Sequence, residues 1–594
     1  MTTATRLQAL RTLMAERGYD ALVIPRADEH LGEYIPLHNE RLLWVSGFTG
    51  SAGMAVVLRD AAAIFVDGRY TVQVRQQVDA AHFSYQHLIK TPPAHWLTTT
   101  LQAGARVAVD PRLHSLHWYR ETEDTLQASG MQLCADADNL VDQCWLERPA
   151  ADVRPALLLD ETFTGESSAS KRARIAAGLD AHRADAALVF APDSVSWLLN
   201  LRGLDVPCLP VLQSMALLRR DGSVDLIVDP RRMPEGWQAH CGADVRLHAP
   251  EAAATLLAAQ SGCRVLADPH TANAWSQQLL QDGGATLIAA PDPVLLPKAC
   301  KNAVEIAGAR SAHVRDAVAV VRFLAWLDSE LRAGRYHDEA GLADQLLAFR
   351  EGGEHFQGPS FDTISAAGGN AAMCHYNHRN GTPAQLPPNS VYLVDSGGQY
   401  TDGTTDITRT VAIGEPPAEV RELFTRVLQG HIALDQVQFP EGTTGTHLDV
   451  LARQPLWRAG FDYDHGTGHG VGAFLSVHEG PQRIGRAWGA TTLQPGMILS
   501  NEPGYYRDGA FGIRCENLVV VQAVEGDLET PMYGFDALTL VPFDRRLIDA
   551  GMLSRDERVW IDRYHRRVED AVGPLLAGPD RQWLAQACAP LAAS

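Results

Sequence analysis

Four carboxylates set into two apolar hairpins constrain this chain of 594 residues more than any other feature. In SVYLVDSGGQYTDGTTDITRTVAI (390–413), Val391, Leu393 and Asp395 alternate along a predicted strand. A turn covers Ser396–Gly403, and a second strand carries Asp406, Thr408 and Thr410, with Asp406 placed 11 positions after Asp395. The pattern recurs in GMILSNEPGYYRDGAFGIRCENLVVVQ (496–522). There Glu502 ends one strand and Glu516 lies on the return strand, 14 positions later. Buried acids at this density lose hydration and repel one another, so they must be protonated, paired with cations or bound to metal. The neighbouring arginines, Arg409, Arg507 and Arg514, are too few to neutralise four acids. Four carboxylates match two divalent ions in charge, with room for a bound hydroxide.

Between the hairpins lies HGTGHGVGAFLSVHEGP (465–481), with three histidines among glycines. A zinc-binding helix would need His465 and His469 on one helical face, but Gly466, Gly468 and Gly470 interrupt a helix. A phosphate cradle fares no better, because position 471 is Val and no P-loop Lys-Ser/Thr follows. The remaining reading is that the glycines let the backbone approach a crowded site into which one or more imidazoles point.

Elsewhere the chain alternates helices with short buried strands. ERPAADVRPALLLDETFTGESSAS (147–170) and the proline-rich AAPDPVLLPKACKN (289–302) read as linkers. The first two blocks repeat one order. Arg6–Gly18, DALVIP, WVSGFTG and IFVDGR in the first correspond to Lys171–His182, DAALVFAP, WLLNLRG and LIVDPRR in the second. The expected domains are therefore 1–155 and 156–300, two related α/β domains, followed by 301–594. The third opens on a long helix whose apolar stripe is read as Val304, Ala307, Val314, Val318, Val321 and Ala325, with Ser311 in the gap.

With 51 basic and 71 acidic residues the formal charge is −20, which argues against nucleic acid or an anionic membrane as partner. Neither a signal peptide nor an apolar run long enough to span a bilayer is expected. Nine cysteines without a CxxC pair point to reduced thiols and a cytoplasmic protein. Cys374 and Cys515 read as packing residues rather than nucleophiles.

The third block resembles the catalytic domain of the pita-bread metallopeptidases. Its motifs are AAMCHY (371–376), LVDSGGQYTDGTTDITRT (393–410), HGTGHGVGAFLSVHEGP (465–481), LSNEPGYY (499–506) and GIRCENLVVV (512–521). With its two leading domains and their DEH, VSGFTGSAG and DGRY segments, the whole chain is similar to the large three-domain Xaa-Pro aminopeptidases. The resemblance implies a fold of two creatinase-like α/β domains before a pita-bread (α+β) catalytic domain. It implies metal ligation by Asp395, Asp406, His469, Glu502 and Glu516, with Asp406 and Glu516 bridging two divalent ions, manganese in this family. Two ions about 3.5–4 Å apart can hold a water between them and lower its pKa. Glu502 is then the proton shuttle, His375 and His478 are candidates for the oxyanion, and His375, His465 and His478 line the substrate pocket, with Tyr376 beside them. The expected substrates are peptides with proline at the second position, and the expected assembly is a homodimer. The alternatives are a prolidase, which cuts Xaa-Pro dipeptides, and a metal-free peptide-binding member of the fold.

Overall fold

The structure, a computed structural model, describes residues 1–487 and 489–591. The chain forms two compact units: Met1–Asp160 with Glu166–Leu295, and Glu161–Gly165 with the chain from Leu296 onward.

The first unit holds two six-stranded sheets built to one plan. In the first sheet, Ala21–Pro25 pairs antiparallel with Met54–Leu58, which pairs antiparallel with Ala62–Val66, and Ala62–Val66 in turn runs parallel to Ser84–His87. On its other side Ala21–Pro25 runs parallel to Arg106–Val109, and that strand to Gln132–Ala135. The second sheet repeats this order and these directions with Ala186–Val189 at its centre. Met215–Arg219, Val224–Ile227 and Val245–His248 lie on one side, and Arg264–Ala267 and Thr286–Ala289 on the other. The apolar runs DALVIP and DAALVFAP are thus the matching central strands, buried on both faces as parallel-sheet strands must be. Gln213 donates to Asp28 at 3.1 Å, which helps tie the two halves into one unit.

In the second unit the long helix Ala303–Arg332 begins with a full capping box, Asn302 bonding the Glu305 amide and Glu305 the Asn302 amide. The expected stripe holds in the later turns, where Val321 and Ala325 are buried and Val314 and Val318 pack against the core, but fails in the first turns. Val304 is 39% exposed and Ala307 is exposed, whereas Glu305, Ala309, Ala312, His313 and Asp316 are buried. Polar burial explains the error: Asp316 accepts from Arg350 at 2.7 Å and from the Tyr400 hydroxyl at 2.8 Å. A helix that buries paired charges cannot be oriented by its apolar stripe alone.

Two sheets carry the acidic motifs. A three-stranded sheet sets Ser390–Ser396 between Ile364–Ala367 and Ile407–Ile413, with Asp395 opposite Thr408. A six-stranded sheet runs Gln438–Pro440, Met532–Ala537, Asn517–Ala523, Ile498–Asn501, Gly468–Gly470, Glu479–Ile484. Asp395 lies within its strand as expected. The other three acids do not: Asp406 precedes Ile407–Ile413, Glu502 follows Ile498–Asn501, and Glu516 falls between Phe511–Arg514 and Asn517–Ala523. Asn501 and Asn517 pair directly, so Glu502 and Glu516 sit where two strands part and the small hairpin Gly504–Arg507/Phe511–Arg514 begins. At such breaks a side chain is released from the strict alternation of the pleat.

Candidate metal centre

The two hairpins and the histidine stretch converge. Gly468 and Gly470 show why that stretch is glycine-rich: a Cβ on Gly468 would lie 2.0 Å from the Ser500 carbonyl oxygen, and one on Gly470 2.3 Å from that of Glu479. Only bare backbone brings His469 this close to strand Ile498–Asn501, which leads into Glu502. The Ser500 hydroxyl accepts from the His469 amide at 2.9 Å and donates to Glu502 Oε1 at 3.1 Å, fixing one residue against the other. Behind them, the Asn501 side chain donates to the His431 carbonyl and the His431 ring meets the Asn501 carbonyl, anchoring the strand end to helix Ala418–Asp435.

Asp406, His469 and Glu516 each bring a ligating atom within 4.8 Å of the others. His469 Nε2 is 3.4 Å from Asp406 Oδ2 and 3.5 Å from Glu502 Oε1. Thr408 Oγ donates to Glu516 Oε2 at 2.6 Å and receives Arg514 Nε at 3.0 Å, so one hydroxyl links the two hairpins. Arg514 Nη2 also binds Asp395 Oδ2 at 2.5 Å, while the buried Asp395 Oδ1 has no hydrogen-bond partner among the described residues.

The electrostatics of this cluster are set by burial and by mutual repulsion of its carboxylates. Burial, reinforced by Asp406, raises Asp395 to about 6 even beside Arg514. Burial also raises Glu502 to about 7, with Asp406 and Asp395 adding repulsion. Burial and its three carboxylate neighbours push Glu516 well above the carboxylate range. For His469 burial opposes the charged form, but Asp406 and Glu502 outweigh it and lift the ring to about 9. Of the three arginines considered from sequence, Arg514 alone forms an ion pair with one of the four acids. Arg409 is buried against Phe543 and donates to the carbonyls of Thr408, Glu516 and Val541, and Arg507 pairs with Glu419. Oxygen donors with one imidazole, an orphaned carboxylate oxygen and this excess of negative charge suit hard or borderline divalent cations.

The other expected residues fall as follows. His478 packs edge-on against His469, ring centroids 4.3 Å apart. His465 Nε2 lies 2.8 Å from the Tyr506 hydroxyl, which receives Arg514 Nη1 at 2.7 Å, so His465 is linked through Tyr506 and Arg514 to Asp395. His375 is half-buried in a turn whose preceding carbonyl, that of Cys374, lies 3.4 Å from Arg514 Nη1. Tyr376 donates its hydroxyl to Glu339 at 2.7 Å, which gives that hydroxyl a structural partner. Cys515 is buried in the apolar core with its thiol pushed up to about 12 by burial, consistent with a packing role. Sequence reasoning missed Tyr506, Thr408 and Ser500 as parts of the site and counted Arg514 only as a nearby charge. Nothing in a single sequence distinguishes Arg514 from Arg409.

Residues 307–523 match metallopeptidase family M24, and 531–591 match the C-terminal region of that family. Residues 6–144 and 147–305 each match the creatinase/prolidase N-terminal domain. A probable Xaa-Pro aminopeptidase P from Tuber melanosporum is 39% identical over 95% of this chain and 95% of its own length. Aminopeptidase P2 from Arabidopsis thaliana is 39% identical over 99% of this chain and 88% of its own. The crystal structure of an X-prolyl aminopeptidase from Caenorhabditis elegans, described as a cytosolic enzyme with a di-nuclear active site, superposes with a TM-score of 0.94 at 34% identity. Both of those chains are covered in full.

Proposed function

This chain belongs to the aminopeptidase P family of M24 metallopeptidases, and from that premise we propose that it hydrolyses the bond between an N-terminal residue and a following proline. The observation that carries this reading is the convergence of Asp406, His469 and Glu516 in a site whose acids outnumber their cations. Asp395, Asp406, His469, Glu502 and Glu516 would hold two divalent ions, with manganese as the proposed metal. When bound, such ions supply a nucleophilic water at neutral pH and polarise the scissile carbonyl.

The chain's own residues do the rest. Glu502, oriented by Ser500, takes the proton released by the attacking water and delivers it to the imide nitrogen, which must be protonated to leave. His478, against His469, and His375 donate hydrogen bonds to the oxygen that gains charge during attack. His465, held by Tyr506, lines the pocket for the peptide. Arg514 keeps Asp395 in place and ionised.

The same reading divides the chain into domains 1–155, 156–300 and 301–594, a division supported by the two sheets of identical order in the first unit. It makes the protein a cytoplasmic homodimer that binds neither nucleic acid nor membrane. The charge of −20 supports the exclusion of nucleic acid and anionic membrane, and the cytosolic C. elegans relative supports the cytoplasmic location. Among the described residues no helix is long and apolar enough to cross a membrane.

The test is N-terminal residue release from a short Xaa-Pro-Pro peptide with manganese supplied, beside Xaa-Ala-Pro and an Xaa-Pro dipeptide. Cleavage of the first peptide alone is expected. Turnover of only the dipeptide would make the protein a prolidase, and no turnover of any peptide would sink the peptidase reading.

A further inference from the structure

His478 sits at the end of a segment without regular structure, Val471–His478, which joins the strand of His469 to the strand Glu479–Ile484. This segment is held at its middle and at its end. At its middle, Leu475 donates its amide to Thr404 Oγ at 3.3 Å, and its carbonyl accepts from Gln399 Nε2 at 2.8 Å. Gln399 and Thr404 also bond each other at 2.8 Å. The neighbouring Phe474 occupies the left-handed region, φ 51°, a conformation that is uncommon for non-glycine residues. At its end, the residue after His478 is Glu479, whose carboxylate pairs with Lys298 at 2.9 Å and Lys301 at 2.5 Å, all three side chains at most 1% exposed. Both lysines lie on the stretch leading into helix Ala303–Arg332, where Lys301 also donates its amide to the Gly496 carbonyl. Replacing a buried ion pair by hydrophobic residues of similar volume is often neutral or stabilising, so packing alone does not require these charges.

We propose that Lys301 and Lys298 on Glu479, together with Gln399 on Leu475, are positioning residues that clamp the 471–478 segment and so fix the His478 imidazole. The role given to His478 rests on the peptidase reading above; the clamp itself is a property of the segment.

The experiment combines a double-mutant cycle with hydrogen–deuterium exchange on the full chain. Lys301→Met should lower kcat about 10–100-fold with KM changed far less and metal content unaltered. In a His478→Ala background the same substitution should change kcat by no more than about twofold, because the residue acts through that ring. Lys301→Arg should recover most of the lost kcat. In metal-free protein, Lys301→Met should raise amide exchange in 471–479 by about 10-fold while the central strands stay protected. Equal losses of kcat in both backgrounds, or unchanged exchange across 471–479, overturn the clamp. If Lys301→Met does not fold, Gln399→Met is judged by the same two readouts. Lack of turnover by the unaltered protein would count against the peptidase reading alone, and the exchange measurement still decides the clamp.

Discussion

Asp406 and His478 both neighbour His469, yet their replacement should have opposite signatures. Asp406 is buried and has its oxygen within reach of His469. Asp406→Asn keeps the shape and removes a charge, so we expect at least one ion to be lost and peptide turnover to fall to background. Metal analysis of the purified variant checks this, and full activity with two bound ions would refute the role. His478→Ala should leave metal content unchanged and lower kcat by about 10²–10³-fold, the usual effect of losing one oxyanion donor. A loss confined to metal content would mean that His478 is a ligand rather than a pocket residue. The four acids stand out in the sequence because carboxylates in apolar surroundings have few chemical reasons to be there, whereas the choice of His469 among the three histidines rests on the family resemblance. Arg514 and Tyr506 do not stand out, since their partners are remote in sequence. Arg514 reaches Asp395 across 119 positions and Tyr506 reaches His465 across 41.

Elements place these residues, and two of them offer tests. The helix Ala303–Arg332 docks through Asp316, which is buried with Arg350. Asp316→Ala strands a guanidinium in the core and should destabilise the second unit by about 3–5 kcal/mol. Thermal unfolding followed for that unit checks it, and a shift no larger than that of an exposed control such as Arg332→Ala would contradict the pairing. In Gly468–Gly470, Gly468→Ala forces a Cβ against the Ser500 carbonyl. The expected cost is about 1–3 kcal/mol with weakened metal binding, because His469 must move with its strand. The helix is also where sequence reading went astray. Periodicity placed Val321 and Ala325 correctly but also put Val304 and Ala307 in the stripe, and the fold buries Glu305, His313 and Asp316 while leaving those two exposed. Hydrophobic pattern records apolar burial and is silent about charges that are buried in pairs.

At the scale of the molecule, the acids make stability and pH interdependent. Asp395 and Glu502 have folded values of about 6 and 7, above those of carboxylates in an unfolded chain. The metal-free folded state therefore binds more protons than the unfolded state from about pH 4 to 7. Its stability should fall as pH rises through that window and be greatest on the acid side. Divalent ions replace those protons, so manganese should restore stability, most strongly above pH 7. Melting curves with and without chelator across pH 5–8 check the sign; a chelated protein that gains stability toward pH 8 would contradict it. From sequence alone came the repeated α/β order, the acid-rich block and the residue types at its centre, because chemistry and periodicity are written locally. Only the tertiary structure decided that three of the four acids stand at strand breaks, that Arg514 rather than Arg409 faces them, and that Glu479 is held by two buried lysines. Those facts depend on which strands pair and which surfaces become interior, and pairing is a property of the folded chain.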